Sequence, residues 1–415
     1  MLTHSNLLFF RGLFFCLYGT IGVMFPFLVL HFKTGVGLDD RQVALISSLS
    51  GITVILFQQL WGYTADVLLP KKWLIAFATL GSGLLFYFVG TLTQQWSIAL
   101  VMLAFNSLFT SISQLLHSFL FAHVHSERYF GLLRAWGSLG FVVTNILIGI
   151  YADRYANGSL TFIFPVFLGL TAITFLLVLP IPEAHAAPRD RLTFWQVQHH
   201  FLHRPEIVLF LLMTFLYQAA HSPSYLLQAV VMSNLGADRA TIAYSYSLAA
   251  FLELPIFFLA GRLIARFGEH RILLFCCMVQ AIRWVLVWSC TSSYQIIATS
   301  LLHCITFGLF FAAAVTYMNR HAGAHLKASA QTLYALVAYG FASMAGFIIG
   351  GEAVSNGFLA PLTRGLVHSV LHLPDRGDLA NLYIACATVA GASVLLAAVL
   401  YRIEERPCVG TQSRL

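Results

Sequence analysis

The chain has 415 residues, of which 59% are apolar and 9% are charged, and its formal net charge is +7. Soluble globular proteins have roughly a quarter of charged residues, so this composition excludes a soluble domain and requires lipid around the chain. The basic residues are scattered singly between apolar runs instead of forming a stripe, which argues against nucleic acid as a partner.

Apolar runs long enough to cross a bilayer, which takes roughly 20 residues, recur along the chain with short polar breaks. The first run is too long for the apolar region of a signal peptide, so it is predicted to be a span. In chain order the sequence predicts twelve spanning helices, at residues 7–31, 43–65, 73–91, 97–121, 133–151, 160–180, 207–233, 242–263, 272–290, 295–318, 330–351 and 380–401.

The lysines and arginines near the span ends predict the orientation, because cytoplasmic loops are enriched in them. Roughly fifteen lie on one side, including Lys71, Lys72 and Arg271, against roughly six on the other, including Arg41 and Arg239. Both termini and the connection at 181–206 are therefore predicted to be cytoplasmic. An even number of spans satisfies this orientation.

The connection at 181–206 is the longest on the predicted cytoplasmic side, and it contains His199, His200 and His203. It is predicted to link an N-terminal six-helix bundle, residues 1–180, to a C-terminal six-helix bundle, residues 207–415. Histidine-rich tracts can bind metal ions, but nothing in the sequence encloses this one, and a solvated interfacial helix is preferred. The seven cysteines have no metal-binding spacing, so no metal site is predicted.

Two loops about half a chain apart carry variants of one pattern. Their shared positions are Gly62, Asp66, Lys71 and Lys72 in the first loop, and Gly261, Arg266, Gly268 and Arg271 in the second. Both resemble the GxxxD(R/K)xG(R/K)(R/K) signature of the major facilitator superfamily, although Val67 replaces a basic residue and Ala265 replaces the acid. The resemblance implies an all-α membrane protein with the major facilitator fold, twelve transmembrane helices in two six-helix bundles. It also implies that these loops act as a conformational gate.

Ionisable residues deep inside spans are costly unless they pair or face a water-filled cavity, so they indicate functional sites. Six such residues lie well inside the predicted spans: Arg134, Glu253, Arg283, His117, His221 and His303. An isolated intramembrane histidine is as often a hydrogen-bonded packing residue. Glu253 and Arg283 fall on neighbouring spans 8 and 9, so they form either a mutual ion pair or a substrate or proton site.

Segments around these residues narrow the resemblance to the phenylpropionate-permease-like group and, more distantly, to lactose permease, an oligosaccharide:proton symporter. The matching segments are 18–27, 130–141, 218–223, 253–258, 281–284 and 302–308. The resemblance implies that Arg134 grips substrate and that an Arg, His and Glu set couples substrate binding to proton movement. Thr306 stands where lactose permease has its coupling carboxylate, so the same coupling scheme is not expected here.

We assign substrate binding to Arg134, His221, Arg283, Trp136 and Tyr18, and proton coupling to Glu253, His303 and His117. The guanidinium of Arg134 can donate two parallel hydrogen bonds to a carboxylate or to sugar hydroxyls. Glu253 is the preferred proton carrier, because it is the acid deepest in the C-terminal bundle and a carrier must titrate near ambient pH. Trp136 and Tyr18 could stack on a substrate ring.

The sequence therefore predicts a secondary active transporter that works by alternating access around a midplane site. Proton-coupled symport of a small organic solute is expected, with an aromatic carboxylate favoured. A sugar or nucleoside proton symporter and a drug or metabolite exporter remain alternatives. An enzyme is not predicted, since the chain lacks HExxH, GxSxG and paired aspartates. The expected partners are the substrate, protons and the lipid bilayer, in a bacterial cytoplasmic (inner) membrane. The protein is expected to be a monomer and to need no cofactor, with the proton gradient as the driving force.

Overall fold

The computed structural model of the chain describes residues 4–65, 69–123, 127–183, 201–322, 327–354 and 357–405. Eleven helices in this described part are long and apolar enough to cross a membrane. A further apolar helix, Ile163–Val178, has 16 residues and takes the place of the predicted sixth span. The chain is thus a multi-pass membrane protein, and in its described part each of the twelve predicted spans corresponds to an apolar helix.

The first six helices are numbered α1 to α6. Their bounds are His4–Met24 for α1, extended by Phe27–Leu30 and His31–Val36, Asp40–Tyr63 for α2, Lys71–Val89 for α3, Gln95–His123 for α4, Glu127–Arg154 for α5 and Ile163–Val178 for α6. Pro26 interrupts α1, because its nitrogen carries no hydrogen to donate. A capping box of Asp39 and Gln42 begins α2 and satisfies backbone amides that have no partner in the helix.

The second six helices are α7 to α12, and two of them contain a wider, π-helical turn. Their bounds are Pro205–Asn234 for α7, Arg239–Phe267 for α8, Glu269–Ser289 for α9, Ser293–Ser300 with Phe310–Ala322 for α10, Lys327–Ala335 with Ser343–Glu352 for α11 and Asp378–Glu404 for α12. The π-helical turns are Cys304–Leu309 in α10 and Leu336–Ala342 in α11. Several helices run a few residues beyond their predicted spans, because polar residues continue the helix past the apolar stretch.

The helices pack as two sets of six. In the first set α1 packs on α5 and α6, and α3 packs on α4 and α6; in the second, α12 packs on α7 and α9. The two sets, here called the halves, meet where α5 contacts α8 and α2 contacts α11. This arrangement is the predicted fold class. The predicted linker at 181–206 lies largely outside the described residues, and its boundaries remain a prediction.

The two ends of the bundle are named by the chain termini. The terminal end holds the start of α1 and the end of α12, and the opposite end holds the start of α2 and of α8.

Glycines bring the halves together between the midplane and the opposite end. A Cβ on Gly51 of α2 would lie 2.7 Å from the carbonyl oxygen of Gly340 in α11. A Cβ on Gly149 of α5 would lie 2.8 Å from the carbonyl oxygen of Arg239 in α8. Small residues of this kind let transmembrane backbones approach closely.

Candidate substrate and proton site

A line of three ionisable side chains crosses the C-terminal half. Arg283 on α9 is fully buried, and its Nη1 lies 3.0 Å from His303 Nδ1 and 3.0 Å from Thr306 Oγ1 on α10. The other ring nitrogen of His303, Nε2, lies 3.2 Å from Glu253 Oε1 on α8. The direct ion pair between Glu253 and Arg283, one of the two alternatives from the sequence, is therefore not formed, because the imidazole lies between them.

One edge of the Arg283 guanidinium has no partner in the described part of the chain. Nη1 makes both hydrogen bonds, whereas Nε and Nη2 are buried without a described hydrogen-bond partner. Nε and Nη2 form the side of the guanidinium fork that matches a carboxylate. Buried polar groups are hydrogen-bonded in most proteins, so a buried donor pair without a described partner, at the centre of the helical bundle, is a candidate ligand contact.

Aromatic rings surround His303. Tyr225 stacks on His303 with ring centroids 4.6 Å apart, and His221 stacks at 5.7 Å. Phe25, from the N-terminal half, stacks on Tyr225 at 5.5 Å and meets Tyr246 edge-on at 5.1 Å. These rings form an apolar layer between the Glu253, His303 and Arg283 line and the opposite end. His221 is buried, and its Nδ1 has no hydrogen-bond partner among the described residues.

A smaller polar group lies in the N-terminal half. The hydroxyl of Tyr18 on α1 is 3.2 Å from Ser113 Oγ and 3.4 Å from His117 Nε2, both on α4. Phe14 stacks on the His117 ring at 5.7 Å. The structure thus brings Tyr18 and His117 together, as two of the predicted site residues. Ser113 was missed, although its place one turn before His117 puts it on the same helix face.

Arg134 and Trp136, the remaining predicted substrate contacts, belong to α5. The Arg134 side chain lies outside the described residues, so its role as a clamp remains a prediction. Trp136 is 36% exposed. Gly137, beside it, packs against Tyr18, since a Cβ there would lie 2.6 Å from Tyr18 Cδ2. The N-terminal face of the site is thus formed by α1, α4 and α5.

Polar contacts join the two halves at the opposite end. Arg41 Nε on α2 is 2.5 Å from Glu352 Oε1 on α11. The Asp153 carboxylate on α5 accepts hydrogen bonds from the backbone amides of Arg239, at 3.1 Å, and Ala240, at 2.7 Å. An acid at the N-terminus of a helix is stabilised by the free amides and the helix dipole, so Asp153 caps α8 across the interface. Both acids closely follow predicted spans, 133–151 and 330–351, where an acid is common.

The predicted gating residues lie at the terminal end, and their described contacts remain within one half. The amides of Lys71 and Lys72 donate to the Glu183 carboxylate at 3.1 and 3.2 Å. Arg271 pairs with Glu405, and Gly268 has a φ of 79° in the turn between α8 and α9, which favours glycine. The other positions are Gly62 on α2, Gly261 and Arg266 on α8, and Asp66, which lies outside the described residues. Their gating role remains a prediction.

Two six-helix halves around buried ionisable residues define a transporter of the major facilitator type. The chain belongs to the MFS_1 like family, whose model matches residues 7–360. It is 27% identical to the maltose permease of Geobacillus stearothermophilus over 81% of this chain and 85% of that protein. It is 24% identical to the "Probable 3-phenylpropionic acid transporter" of Escherichia coli (strain K12) over 86% of this chain and 91% of that protein. These relatives confirm the superfamily and the group that the sequence motifs indicate.

A solved structure agrees with this fold. The crystal structure of a mutant of the nucleoside transporter NupG superimposes with a TM-score of 0.82 at 14% identity. The match covers 95% of this chain and 100% of that chain. At this identity the likeness concerns the fold alone. The family and these neighbours are transporters, not enzymes.

Proposed function

We propose that this protein is a proton-coupled symporter that imports a small organic anion, with an aromatic carboxylate favoured. The observation that carries the proposal is the Nε and Nη2 edge of Arg283, which has no described partner, beside the Glu253 and His303 pair. Arg283 receives the substrate carboxylate in this proposal, and Glu253 receives the proton. Aromatic side chains, including Tyr225 and Phe25, would contact the substrate ring.

Charge balance supports the coupling of one proton to one anion. With a neutral imidazole, the line of Glu253, His303 and Arg283 has no net charge. A monocarboxylate alone would leave an excess negative charge at membrane depth, which is costly. A proton taken up with the anion returns the buried set to zero net charge, so co-transport lowers the barrier for the loaded protein to change state.

Local movement is required for binding, because the Nε and Nη2 edge of Arg283 is buried in this state. The π-helical turn Cys304–Leu309 directly follows His303 and contains Thr306, so both partners of Arg283 Nη1 lie at one irregular turn. Such π-helical turns are frequent at functional sites. A shift of this turn would release His303 from Arg283 and admit the substrate.

The described contacts between the halves support an inward-facing state. The Arg41 to Glu352 and Asp153 to α8 contacts hold the opposite end closed. The excess of lysine and arginine at the terminal end supports a cytoplasmic location for that end and for both termini. Alternating access then consists of rocking between the halves about the central site. The bacterial relatives support a location in the cytoplasmic membrane.

A sugar or nucleoside is the second candidate substrate, because relatives are named for maltose and for nucleosides. Neutral solutes would bind through hydroxyl groups to Arg283 and to the Tyr18 and His117 pair. A proton carried with a neutral solute would leave a positive charge on the buried set. Uptake of a neutral solute should therefore respond to membrane potential, whereas anion and proton symport should be electroneutral.

Proteoliposomes with purified protein test the proposal. A panel of radiolabelled aromatic acids, sugars and nucleosides is offered with and without an inward proton gradient, and with membrane potential clamped by valinomycin and potassium. We expect accumulation of an aromatic acid that follows the pH gradient and ignores the potential. Potential-driven uptake of a sugar or nucleoside would establish the second candidate. Uptake that ignores both gradients would refute proton coupling.

A further inference from the structure

An open groove lies on the outside of the N-terminal half, away from the central site. Residues of α2, α3 and α6 line it around a cavity of about 770 Å³, and the lining is almost entirely apolar. The rims are large side chains, with Trp73 56% exposed, Phe77 61% exposed and Leu60 54% exposed. Two small residues of α3, Ala76 and Gly81, are also part of the lining.

The groove has the depth of one leaflet. Along α3 it runs from Trp73, near the terminal end, to Leu84. At 1.5 Å of rise per residue these eleven steps span about 16 Å, close to half of a hydrocarbon core of about 30 Å. The groove is therefore long enough to hold an acyl chain of a phospholipid in the terminal-end leaflet, along α3 from Trp73 to Leu84.

A cation lies at the mouth of the groove. The ammonium nitrogen of Lys72 is 5.6 Å from the centroid of the Trp73 ring, and Lys71 precedes it in the chain. Tryptophan and lysine are typical of the headgroup level, where basic side chains attract anionic lipids. The Glu183 carboxylate occupies the first amides of α3, so those amides are not the headgroup contact. The side chain of Lys72 is a charged group presented beside the apolar lining.

We propose that this α2/α3 groove binds an anionic phospholipid of the terminal-end leaflet, with one acyl chain in the groove and the headgroup at Lys72. The site lies where the predicted gating loop, residues 62–72, joins α2 to α3. A bound lipid would pack on the described ends of this connection, Thr64 and Leu69, in the inward-facing state. Lipid composition would then change the rate of transport without a contact at the substrate site.

Quenching of tryptophan fluorescence by brominated acyl chains tests the proposal on the full-length protein. Wild type, Trp73→Phe and Trp96→Phe are reconstituted in vesicles that contain brominated phosphatidylglycerol or, at the same mole fraction, brominated phosphatidylcholine. The quenching lost in each variant reports the lipid at that tryptophan. Trp96, 80% exposed at the start of α4, is the matched control in the other leaflet.

We expect Trp73 to prefer phosphatidylglycerol over phosphatidylcholine by about fivefold, the value for one basic residue near an anionic lipid. Trp96 should show a ratio near one. Lys72→Gln should bring the ratio at Trp73 down to that of Trp96. Equal quenching of Trp73 by both lipids would overturn the proposal, and so would a preference that survives Lys72→Gln.

Another occupant would give a different result. If a second copy of this chain covers the groove, Trp73 should resist quenching by both lipids and become accessible on dilution in detergent, which also overturns the proposal. Native mass spectrometry of wild type and Lys72→Gln provides a second measurement if a tryptophan variant fails to fold. Retention of one phosphatidylglycerol by wild type, and its loss in the variant, is the expected result; equal retention contradicts it.

Discussion

The two halves contribute different chemistry to the central site. The C-terminal half contains Glu253, His303 and Arg283 in one line of polar contacts, and no described residue accepts a hydrogen bond from one edge of the guanidinium. In the N-terminal half, the described polar group consists of the Tyr18 and Ser113 hydroxyls and the His117 imidazole, with no carboxylate or guanidinium among its described members. Charge at membrane depth has to be balanced as ligands arrive, whereas neutral dipoles need only be satisfied. We infer that the C-terminal half couples the proton to the substrate and that the N-terminal half adjusts substrate affinity.

If the C-terminal half holds the substrate carboxylate, replacement of Arg283 should have the largest effect of all on substrate affinity. Arg283→Ala removes a buried carboxylate contact, which costs about 3–5 kcal/mol, so the affinity for an accepted acid should fall by more than about a hundredfold. Binding to purified protein by isothermal titration calorimetry measures the change. Arg283→Lys, which keeps the charge without the fork, should lie between wild type and Arg283→Ala. Unchanged affinity in Arg283→Ala would show that the substrate carboxylate is bound by the N-terminal half instead.

Loss of the Glu253 carboxylate should separate coupling from binding. Glu253→Gln keeps the shape of the side chain and removes its exchangeable charge, so accumulation driven by a pH gradient should disappear. Exchange of labelled for unlabelled substrate, which needs no net proton movement, should remain. Proteoliposome uptake and counterflow measure the two activities on one preparation. Accumulation with normal pH dependence in Glu253→Gln would show that another group carries the proton.

The contact of Asp153 with α8 joins the two halves, and its removal should shift the balance between states. Asp153→Ala removes the cap from the other half, at a cost of about 1 kcal/mol, so the population open at the opposite end should rise about fivefold. Distances between spin labels at Asn157 and Asn234, which are exposed, report this opening.

Asp238, at the start of α8, provides a matched control for Asp153. Asp238 caps α8 from its own half by accepting a hydrogen bond from the Thr241 amide at 2.7 Å. Asp238→Ala should therefore lower stability without widening the distance between the labels. Equal distance distributions in the two variants would show that the Asp153 contact does not stabilise the closed opposite end.

The N-terminal half should give the smallest effects. Tyr18→Phe removes one hydroxyl that contacts Ser113 and His117, and a neutral hydrogen bond contributes about 0.5–1.5 kcal/mol. KM should rise about two- to tenfold with little change in pH dependence. Tyr87→Phe, at a 43% exposed tyrosine of α3, is the control and should leave transport unchanged. A change in pH dependence in Tyr18→Phe would assign coupling to both halves.

Local sequence was enough to predict the helices and to single out several members of the candidate site. The length of each apolar run follows from the thickness of the bilayer, so the number of spans could be read directly. Glu253, Arg283 and His303 could be identified singly because ionisable residues are rare in spans. Their order could not, since His303 lies between the other two only when α8, α9 and α10 pack together.

Other contacts gave no signal in the sequence. Ser113 resembles the many serines and threonines of this chain that donate to their own helix backbone, such as Ser111 and Thr110. Asp153 stands near a helix end, where an acid is common, and its role depends on the helix of the other half. The lining of the α2/α3 groove is ordinary lipid-facing sequence, and its shape arises only where three helices meet.

The sequence by itself determined that this protein spans a membrane with twelve helices, belongs to the major facilitator superfamily and contains a few buried ionisable residues. Those properties follow from hydropathy and motif, which are local along the chain. The tertiary structure alone decided that His303 separates Glu253 from Arg283, that no described residue engages one edge of Arg283, and that the halves close at the end away from the termini. Each of these depends on contacts between helices distant in sequence, and hydropathy does not encode the rotation or depth of one helix against another.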